Sequence, residues 1–167
     1  GNSAQRLLQM IRATGVDPHL VTLEITESIL IQSIDHVAQT LEELRQAGIH
    51  IALDDFGVGY SSLNYLSNLP VDIIKIDRSL TREILTSRKQ NALLNSIVEM
   101  ASINELSIVA EGVETQAEQQ AIAQCGVGYI QGYYYAQPMP EEELGPFLDG
   151  NRSESGSPPD ERRTIPL

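Results

Sequence analysis

Residues 49–59 read IHIALDDFGVG, a short apolar segment that ends in two adjacent acids and a glycine-containing loop. Similar apolar segments recur along the chain and alternate with segments whose apolar residues have helical spacing. The predicted strands are 19–25, 49–54, 71–76, 106–111 and 127–132. The predicted helices are 4–14, 35–47, 60–68, 79–104 with a break near Ser87, 115–125 and 140–149. This alternation predicts βαβ units, and therefore an α/β fold with a parallel sheet covered by helices.

Polar and mostly acidic side chains stand at the ends of the predicted strands. The carboxyl ends of parallel strands meet at one rim, where functional groups of α/β proteins collect. The candidates are Glu24, Asp54, Asp55, Lys75, Asp77, Glu111, Glu114 and Gln131. So many neighbouring carboxylates repel one another unless cations separate them. Oxygen ligands favour Mg²⁺, Mn²⁺ or Ca²⁺ over zinc.

Lys75 is the lone cation among these candidates. Its acidic neighbours should keep it charged, and beside bound metal ions it could position or deprotonate a water. Two chemistries stay open at this point. One is phosphodiester hydrolysis at a two-metal site; the other is a Mg²⁺-dependent lyase or isomerase with a lysine base.

Two other features have structural interpretations. Asp77 can cap the following helix. Tyr133, Tyr134 and Tyr135 are expected to pack rather than to stack on a ligand.

The composition limits the possible partners. The 167 residues include 11 Lys and Arg against 23 Asp and Glu, a formal charge of −12. This charge argues against binding to nucleic-acid polymers or anionic membranes, which need a basic surface. No apolar stretch approaches the ~20 residues that insert across a bilayer. The single cysteine, Cys125, cannot form an internal disulfide, which fits a cytoplasmic protein. Residues 1–149 are predicted as one domain and the polar residues 150–167 as a disordered tail or linker.

Five motifs together resemble the EAL domain, the family of bacterial cyclic di-GMP phosphodiesterases. They are EITE (24–27), ALDDFGVGYSSLNYL (52–66), DIIKIDRS (72–79), VAEGVET (109–115) and QGYYYAQP (131–138). The resemblance covers about residues 4–148. It implies a TIM-like (β/α) barrel, and hydrolysis of cyclic di-GMP to linear pGpG with two Mg²⁺ or Mn²⁺ ions.

The resemblance also implies roles for individual residues. The metal ligands would be Glu24, Asp54, Asp55 and Glu111. Lys75 would contact the hydrolytic water, and Gln131 would line the site near it together with Glu111. Glu27 would hold the DDFG loop in place, while Asp77 and Glu114 would support the site from outside. Val58 stands where a threonine is common in the family, which removes a hydroxyl but no ligand.

Two elements of the family pattern do not occur in the sequence. One is the Glu-x-Leu-x-Arg strand that names the domain, and the other is a metal-binding Asn upstream of Glu24. The predicted strands therefore resemble the last five of eight, so we expect an incomplete barrel with weak or no activity of its own. Its open edges should favour a homodimer or other self-association. The alternative is a non-catalytic receptor or regulatory module, and the parent protein could reach the inner membrane through other domains.

Overall fold

The computed structural model describes residues 3–26, 34–57 and 69–154. The helices are α1 (Ser3–Thr14), α2 (Ile34–Gln46), α3 (Arg78–Thr81), α4 (Arg88–Ile103), α5 (Gln116–Gln124) and α6 (Glu141–Glu154). The strands are β1 (Thr22–Thr26), β2 (His50–Phe56), β3 (Ile73–Ile76), β4 (Ser107–Ala110) and β5 (Tyr129–Ile130). All strands pair in parallel, in the order β1-β2-β3-β4-β5. The predicted α/β architecture and incomplete barrel are confirmed.

Local capping explains where the elements depart from their predicted bounds. The chain before β1 forms a 3₁₀ turn, Pro18–Leu20, because the Asp17 side chain accepts a hydrogen bond from His19 N. The first strand therefore begins at Thr22 rather than at residue 19. The predicted break near Ser87 is confirmed, since the Ser87 side chain accepts from Gln90 N and caps α4.

The last helix is longer than predicted. It runs from Glu141 to Glu154, through Pro146, so the first residues of the segment predicted as a tail are helical. The final strand is shorter than predicted and includes only Tyr129 and Ile130. The predicted helix at 60–68 and the rest of the predicted tail lie outside the described residues.

The hydrophobic core lies between the sheet and the helices. Its most deeply buried side chains are Leu44, Ile49, Ile51, Leu53, Ile74, Ile76, Leu94 and Ile122. Within β3, Ile74 and Ile76 are fully buried in this core, and Lys75 lies between them. Because successive side chains of a strand point to opposite faces, Lys75 projects from the face away from the core. The sheet thus places one buried lysine on what would be the inner wall of a barrel.

No helix within the described ranges is both long enough and apolar enough to cross a membrane.

The described sheet leaves β1 and β5 as its edge strands. Unpaired N–H and C=O groups on an edge strand are a template for pairing with another chain. We therefore predict that the 167-residue chain self-associates in solution, with β1, the longer of the two edges, at the contact. Light scattering should give the mass of a dimer or a larger species. A monomer that persists at high protein concentration would contradict this prediction.

Candidate active site

Three carboxylates from neighbouring strands surround the ammonium of Lys75. Lys75 Nζ lies 2.6 Å from Glu24 Oε1 on β1 and 2.7 Å from Glu111 Oε1 at the end of β4. Asp54 Oδ1 on β2 lies 3.4 Å away. The Lys75 side chain is only 10% exposed. The structure thus brings together four residues that the sequence predicts for one site, from four consecutive strands.

The protonation state of Lys75 follows from this arrangement. Burial lowers the pKa of an ammonium, but hydrogen bonds to Glu111 and Glu24 and the charges of Glu111 and Asp54 act in the opposite direction. The net effect raises the pKa of Lys75 above its ordinary value. Lys75 is therefore a cation at neutral pH, as the sequence predicts, and serves as a counter-ion and hydrogen-bond donor.

The adjacent acids of β2 lie on a β-bulge. The register of β2 against β3 shifts between Leu53 and Phe56, so β2 has one extra residue there. Within it, Asp55 adopts φ 57°, the left-handed region that non-glycine residues rarely occupy. A bulge re-aims side chains that would otherwise alternate between the two faces. Asp54, which follows the core residue Leu53, already lies on the face of Lys75 by regular alternation. The extra residue lets Asp55 point to solvent while Phe56 returns to the core.

Glu111 is held by its backbone from two sides. Its N–H donates to Ile76 O at 3.0 Å, which continues the pairing of β3 and β4. Its carbonyl accepts a hydrogen bond of 2.9 Å from the Thr81 hydroxyl. Thr81 is buried, 2% exposed, and its hydroxyl lies within hydrogen-bond distance of Arg78 O as well. The short helix α3 therefore fixes the strand end that carries the Glu111 carboxylate.

Gln131 is positioned by a close approach of two chain segments. Gln131 N donates to Ala110 O at 2.8 Å, and Val113 N donates to Gln131 O at 3.3 Å. The next residue, Gly132, packs directly on the Val113 backbone, and a Cβ atom there would collide with it. Only glycine allows this contact, which holds Gln131 beside Glu111 at the wall of one cavity.

The remaining predicted site residues lie around this centre. Asp77 caps α3, since its side chain accepts from Ser79 N at 2.8 Å, and this hydrogen bonding lowers the pKa of Asp77. Glu114 Oε1 forms an ion pair of 2.6 Å with Arg78 Nη2. Neither forms an ion pair with Lys75 among the described residues. The supporting roles of Asp77 and Glu114 stay predictions. Glu27 and Val58 lie outside the described residues.

The residues present fit divalent metal ions by their chemistry. The acids are all oxygen donors, as Mg²⁺ and Mn²⁺ require. Asp54 Oδ1 is buried and accepts no hydrogen bond from the described residues, so it has unused acceptor capacity. Over the same residues, however, no three His, Cys, Asp or Glu side chains converge on a point that could hold a metal ion. Three of the acids converge on the Lys75 ammonium instead.

The sequence model of the EAL domain matches residues 2–138. The chain belongs to the EAL domain family. This confirms the resemblance drawn from the motifs and accounts for the parallel sheet, since the EAL structures that it matches are TIM-like barrels.

Three similar proteins illustrate the EAL match. The cyclic di-GMP phosphodiesterase NbdA of Pseudomonas aeruginosa is 36% identical over 148 residues, 89% of this chain and 19% of NbdA. The PaMucR phosphodiesterase in complex with c-di-GMP is 37% identical with a TM-score of 0.79, covering 84% of this chain and 57% of the other. The manganese and c-di-GMP complex of Klebsiella pneumoniae BlrP1 is 36% identical with a TM-score of 0.76, covering 80% and 34%. The chain spans only 16–22% of the length of the curated relatives that it matches.

Sequence reasoning missed several residues that shape this EAL site. Arg78 lies within the lysine motif and Thr81 just after it, at helix positions where an arginine or a threonine carries no particular signal. Tyr133 was expected to pack, but it is 58% exposed, and its neighbours Tyr134 and Tyr135 are 38% and 51% exposed. Tyr134 and Tyr135 contact each other edge to face, with ring centroids 5.0 Å apart, so the expectation of packing holds for this pair and not for the exposed Tyr133. The three tyrosines form a turn directly after Gly132, which packs on the Val113 backbone.

Replacement of Lys75 by Met tests whether the lysine neutralises the carboxylates. Lys75→Met leaves the buried Asp54 Oδ1 and the partly exposed Glu111 carboxylate without their cation, so the free energy of unfolding should fall by about 1–3 kcal/mol at neutral pH without metal. Urea unfolding measures this change in the free energy of unfolding. Lys89→Met, which removes an exposed lysine from α4, is the matched control and should change stability little. Equal stability of the two variants would contradict the role of Lys75.

The contact of Gly132 with Val113 gives a second prediction. In Gly132→Ala the new methyl group meets backbone that cannot move independently, so the variant should lose about 1–3 kcal/mol of stability. The control is Gly128→Ala, because nothing lies within 4 Å of a Cβ atom there. Thermal and urea unfolding of both variants provide the comparison. If Gly132→Ala were as stable as Gly128→Ala, the close approach would not constrain Gln131.

Proposed function

We propose that this chain carries the catalytic rim of a cyclic di-GMP phosphodiesterase that hydrolyses one phosphodiester bond to give linear pGpG. The observation that carries the proposal is the meeting of Glu24, Asp54 and Glu111 at the Lys75 ammonium. Membership of the EAL family supports it, as do the phosphodiesterase name of NbdA and the c-di-GMP complex of PaMucR.

The acids of the rim would hold two Mg²⁺ or Mn²⁺ ions. The ligands would be Glu24, Asp54, Asp55 and Glu111. The manganese complex of BlrP1 and the oxygen-only donor set support this assignment. When bound, such ions polarise the phosphoryl group and make a water nucleophilic at neutral pH.

The other residues of the rim would orient the reacting groups. Protonated Lys75 Nζ would donate a hydrogen bond that holds the attacking water or a phosphate oxygen in line. The Gln131 side-chain amide would contact the same region from the end of β5, beside Glu111. In the reaction the water oxygen bonds to phosphorus, the P–O3′ bond breaks, and the 3′ oxygen leaves with a proton as a hydroxyl. The product is the linear dinucleotide with a 5′ phosphate.

A non-catalytic cyclic di-GMP receptor is the second candidate. It is favoured by the absence, among the described residues, of three side chains that converge to hold a metal ion. The two candidates share the ligand and differ in turnover, so one assay with two readouts separates them.

Two further assignments belong to the same proposal. A cytoplasmic location rests on the single cysteine, Cys125, because reducing compartments keep thiols free. A homodimer would cover an edge of the sheet that the described residues leave open.

The assay mixes the parent protein that contains this chain with cyclic di-GMP and Mn²⁺ and measures both bound ligand and pGpG by chromatography. Wild type should release pGpG, and EDTA should stop it. Asp54→Asn, which removes a metal-ligating charge, should slow turnover at least about 100-fold. It should also lose the rise in melting temperature that Mn²⁺ causes in wild type.

Glu99→Gln is the matched control, because Glu99 is an exposed acid on α4, and both readouts should stay at wild-type level. Binding without pGpG would establish the receptor. If wild type shows no binding and no turnover, both candidates are overturned.

A further inference from the structure

Thr81 is a buried polar side chain next to the candidate active site, and the proposed hydrolysis has no direct use for it. It lies in α3 and is 2% exposed, and both Leu80 before it and Ile84 three residues later are buried as well. A valine would fill the same space without the cost of burying a hydroxyl. A buried threonine at such a position therefore indicates that its hydroxyl has a specific hydrogen-bond partner.

The Thr81 hydroxyl has one proton and two carbonyl oxygens within reach. Arg78 O lies 3.1 Å away and Glu111 O lies 2.9 Å away. Arg78 O already accepts a hydrogen bond from Arg82 N, whereas no backbone N–H of the described residues donates to Glu111 O. The hydroxyl therefore donates to Glu111 O, and this hydrogen bond joins two residues that are 30 positions apart in the sequence.

The ends of the strands leave the Glu111 carbonyl without a partner in the sheet. Glu111 N donates to Ile76 O, and the C=O of the same residue faces the same neighbouring strand. That strand, β3, ends at Ile76, and the chain then enters α3. The Thr81 hydroxyl thus replaces the backbone donor that a longer β3 would supply.

The residue after Glu111 makes this hydrogen bond important for the position of the carboxylate. Gly112 has φ 66°, and a glycine leaves the peptide that precedes it free to rotate unless other contacts hold it. Because the peptide unit is rigid, a contact that holds Glu111 O also holds Glu111 Cα and the direction of the side chain. In that position the Glu111 carboxylate reaches Lys75 Nζ at 2.7 Å, with 22% of the side chain exposed.

Helix α3 is itself held against the other acidic strand end. Leu80 packs against Gly57, just after the bulge that carries Asp54 and Asp55, and a Cβ atom at Gly57 would collide with the Leu80 side chain. The helix therefore contacts the ends of both β2 and β4. It joins the strand that carries Asp54 to the strand end that carries Glu111.

We propose that Thr81 is a positioning residue of the metal site: its hydroxyl fixes the main chain of Glu111, and thereby the place at which the Glu111 carboxylate faces Asp54. This inference rests on the metal site of the proposed function, because it concerns Glu111 as a ligand. It assigns control of metal affinity to a hydroxyl that contacts neither metal nor substrate.

Metal affinity is measured by calorimetric titration of the parent protein with Mn²⁺ in the absence of cyclic di-GMP. The heat that disappears in Asp54→Asn is assigned to this site. Thr81→Val keeps the shape of the side chain and removes the donor, so it should raise Kd about 10- to 100-fold, the usual cost of losing a group that supports a metal ligand. Thr81→Ser keeps the donor and should stay within about threefold of wild type.

Thr86→Val is the matched control for the loss of a threonine hydroxyl. The Thr86 hydroxyl donates to Glu83 O at 3.4 Å, which is the same local kind of contact that Thr81 makes with Arg78. Thr86 is exposed, and within the described ranges its side chain has no hydrogen bond to a distant strand. The Kd for Mn²⁺ should stay at the wild-type value in this variant.

Two further measurements distinguish positioning from general damage. Thr81→Val should lose turnover at low Mn²⁺, and saturating Mn²⁺ should restore kcat close to wild type, with KM for cyclic di-GMP unchanged. In Glu111→Ala, which keeps Glu24, Asp54 and Asp55, the addition of Thr81→Val should change Kd no further, because the side chain that Thr81 positions is gone.

The outcomes separate this role from the proposed function. If wild type binds Mn²⁺ and releases pGpG while Thr81→Val keeps the wild-type Kd, or if Thr81→Val and Glu111→Ala act additively, the positioning role is overturned and the proposed function stands. If wild type releases no pGpG but binds Mn²⁺, and Thr81→Val weakens that binding, hydrolysis fails and the positioning role stands. If wild type binds no Mn²⁺, both fail.

Melting curves without metal show whether each variant is folded at the assay temperature. If Thr81→Val melts below it, the comparison of Thr81→Cys with Thr81→Ser decides in its place, because a thiol is a weak donor of similar size to a hydroxyl. Thr81→Cys should then bind Mn²⁺ more weakly than Thr81→Ser, and equal Kd values would overturn the positioning role.

Discussion

The structure of the site depends on the burial of one ammonium among three carboxylates. A buried charge is costly unless opposite charges and hydrogen bonds surround it. Lys75 meets this condition with Glu24 and Glu111, within 2.7 Å of its Nζ, and with Asp54 at 3.4 Å. Each partner comes from a different strand. The electrostatic requirement of one side chain therefore constrains the relative positions of β1, β2, β3 and the end of β4.

Next to the residues that surround Lys75, the backbone departs from regular sheet geometry. The β-bulge at Asp54 and Asp55 changes the alternation of side chains in β2, and Asp55 occupies a conformation that is unfavourable outside glycine. On the other side, the Thr81 hydroxyl and the contact of Gly132 with Val113 fix the ends of β4 and β5. The bulge in β2 and these two contacts all lie at the carboxyl ends of the strands. At the other end of the strands, an ion pair of 2.7 Å joins Arg45 to Asp72.

The sequence predicts those parts of the molecule that depend on local pattern. Short apolar runs, and glycines that end the helices between them, locate five parallel strands in the sequence. The same pattern places Glu24, Asp54, Lys75 and Glu111 at the strand ends. The bulge was not predictable, because an extra residue in β2 is defined only by its register against β3. The pair of Arg78 with Glu114 joins helix α3 to the loop after β4, two segments that are distant in sequence. The exposure of Tyr133 depends on where Gly132 meets Val113. Such features require the tertiary structure.

Charge balance links substrate binding to metal binding in the proposed function. Three carboxylates around one ammonium leave two negative charges uncompensated, and the exposed Asp55 adds another nearby. Cyclic di-GMP carries two negative phosphates, so it would be repelled from this rim in the absence of further cations. Lys75 cannot supply the missing charge, because its own charge is already engaged by the acids. Divalent ions would have to bind before or together with the substrate.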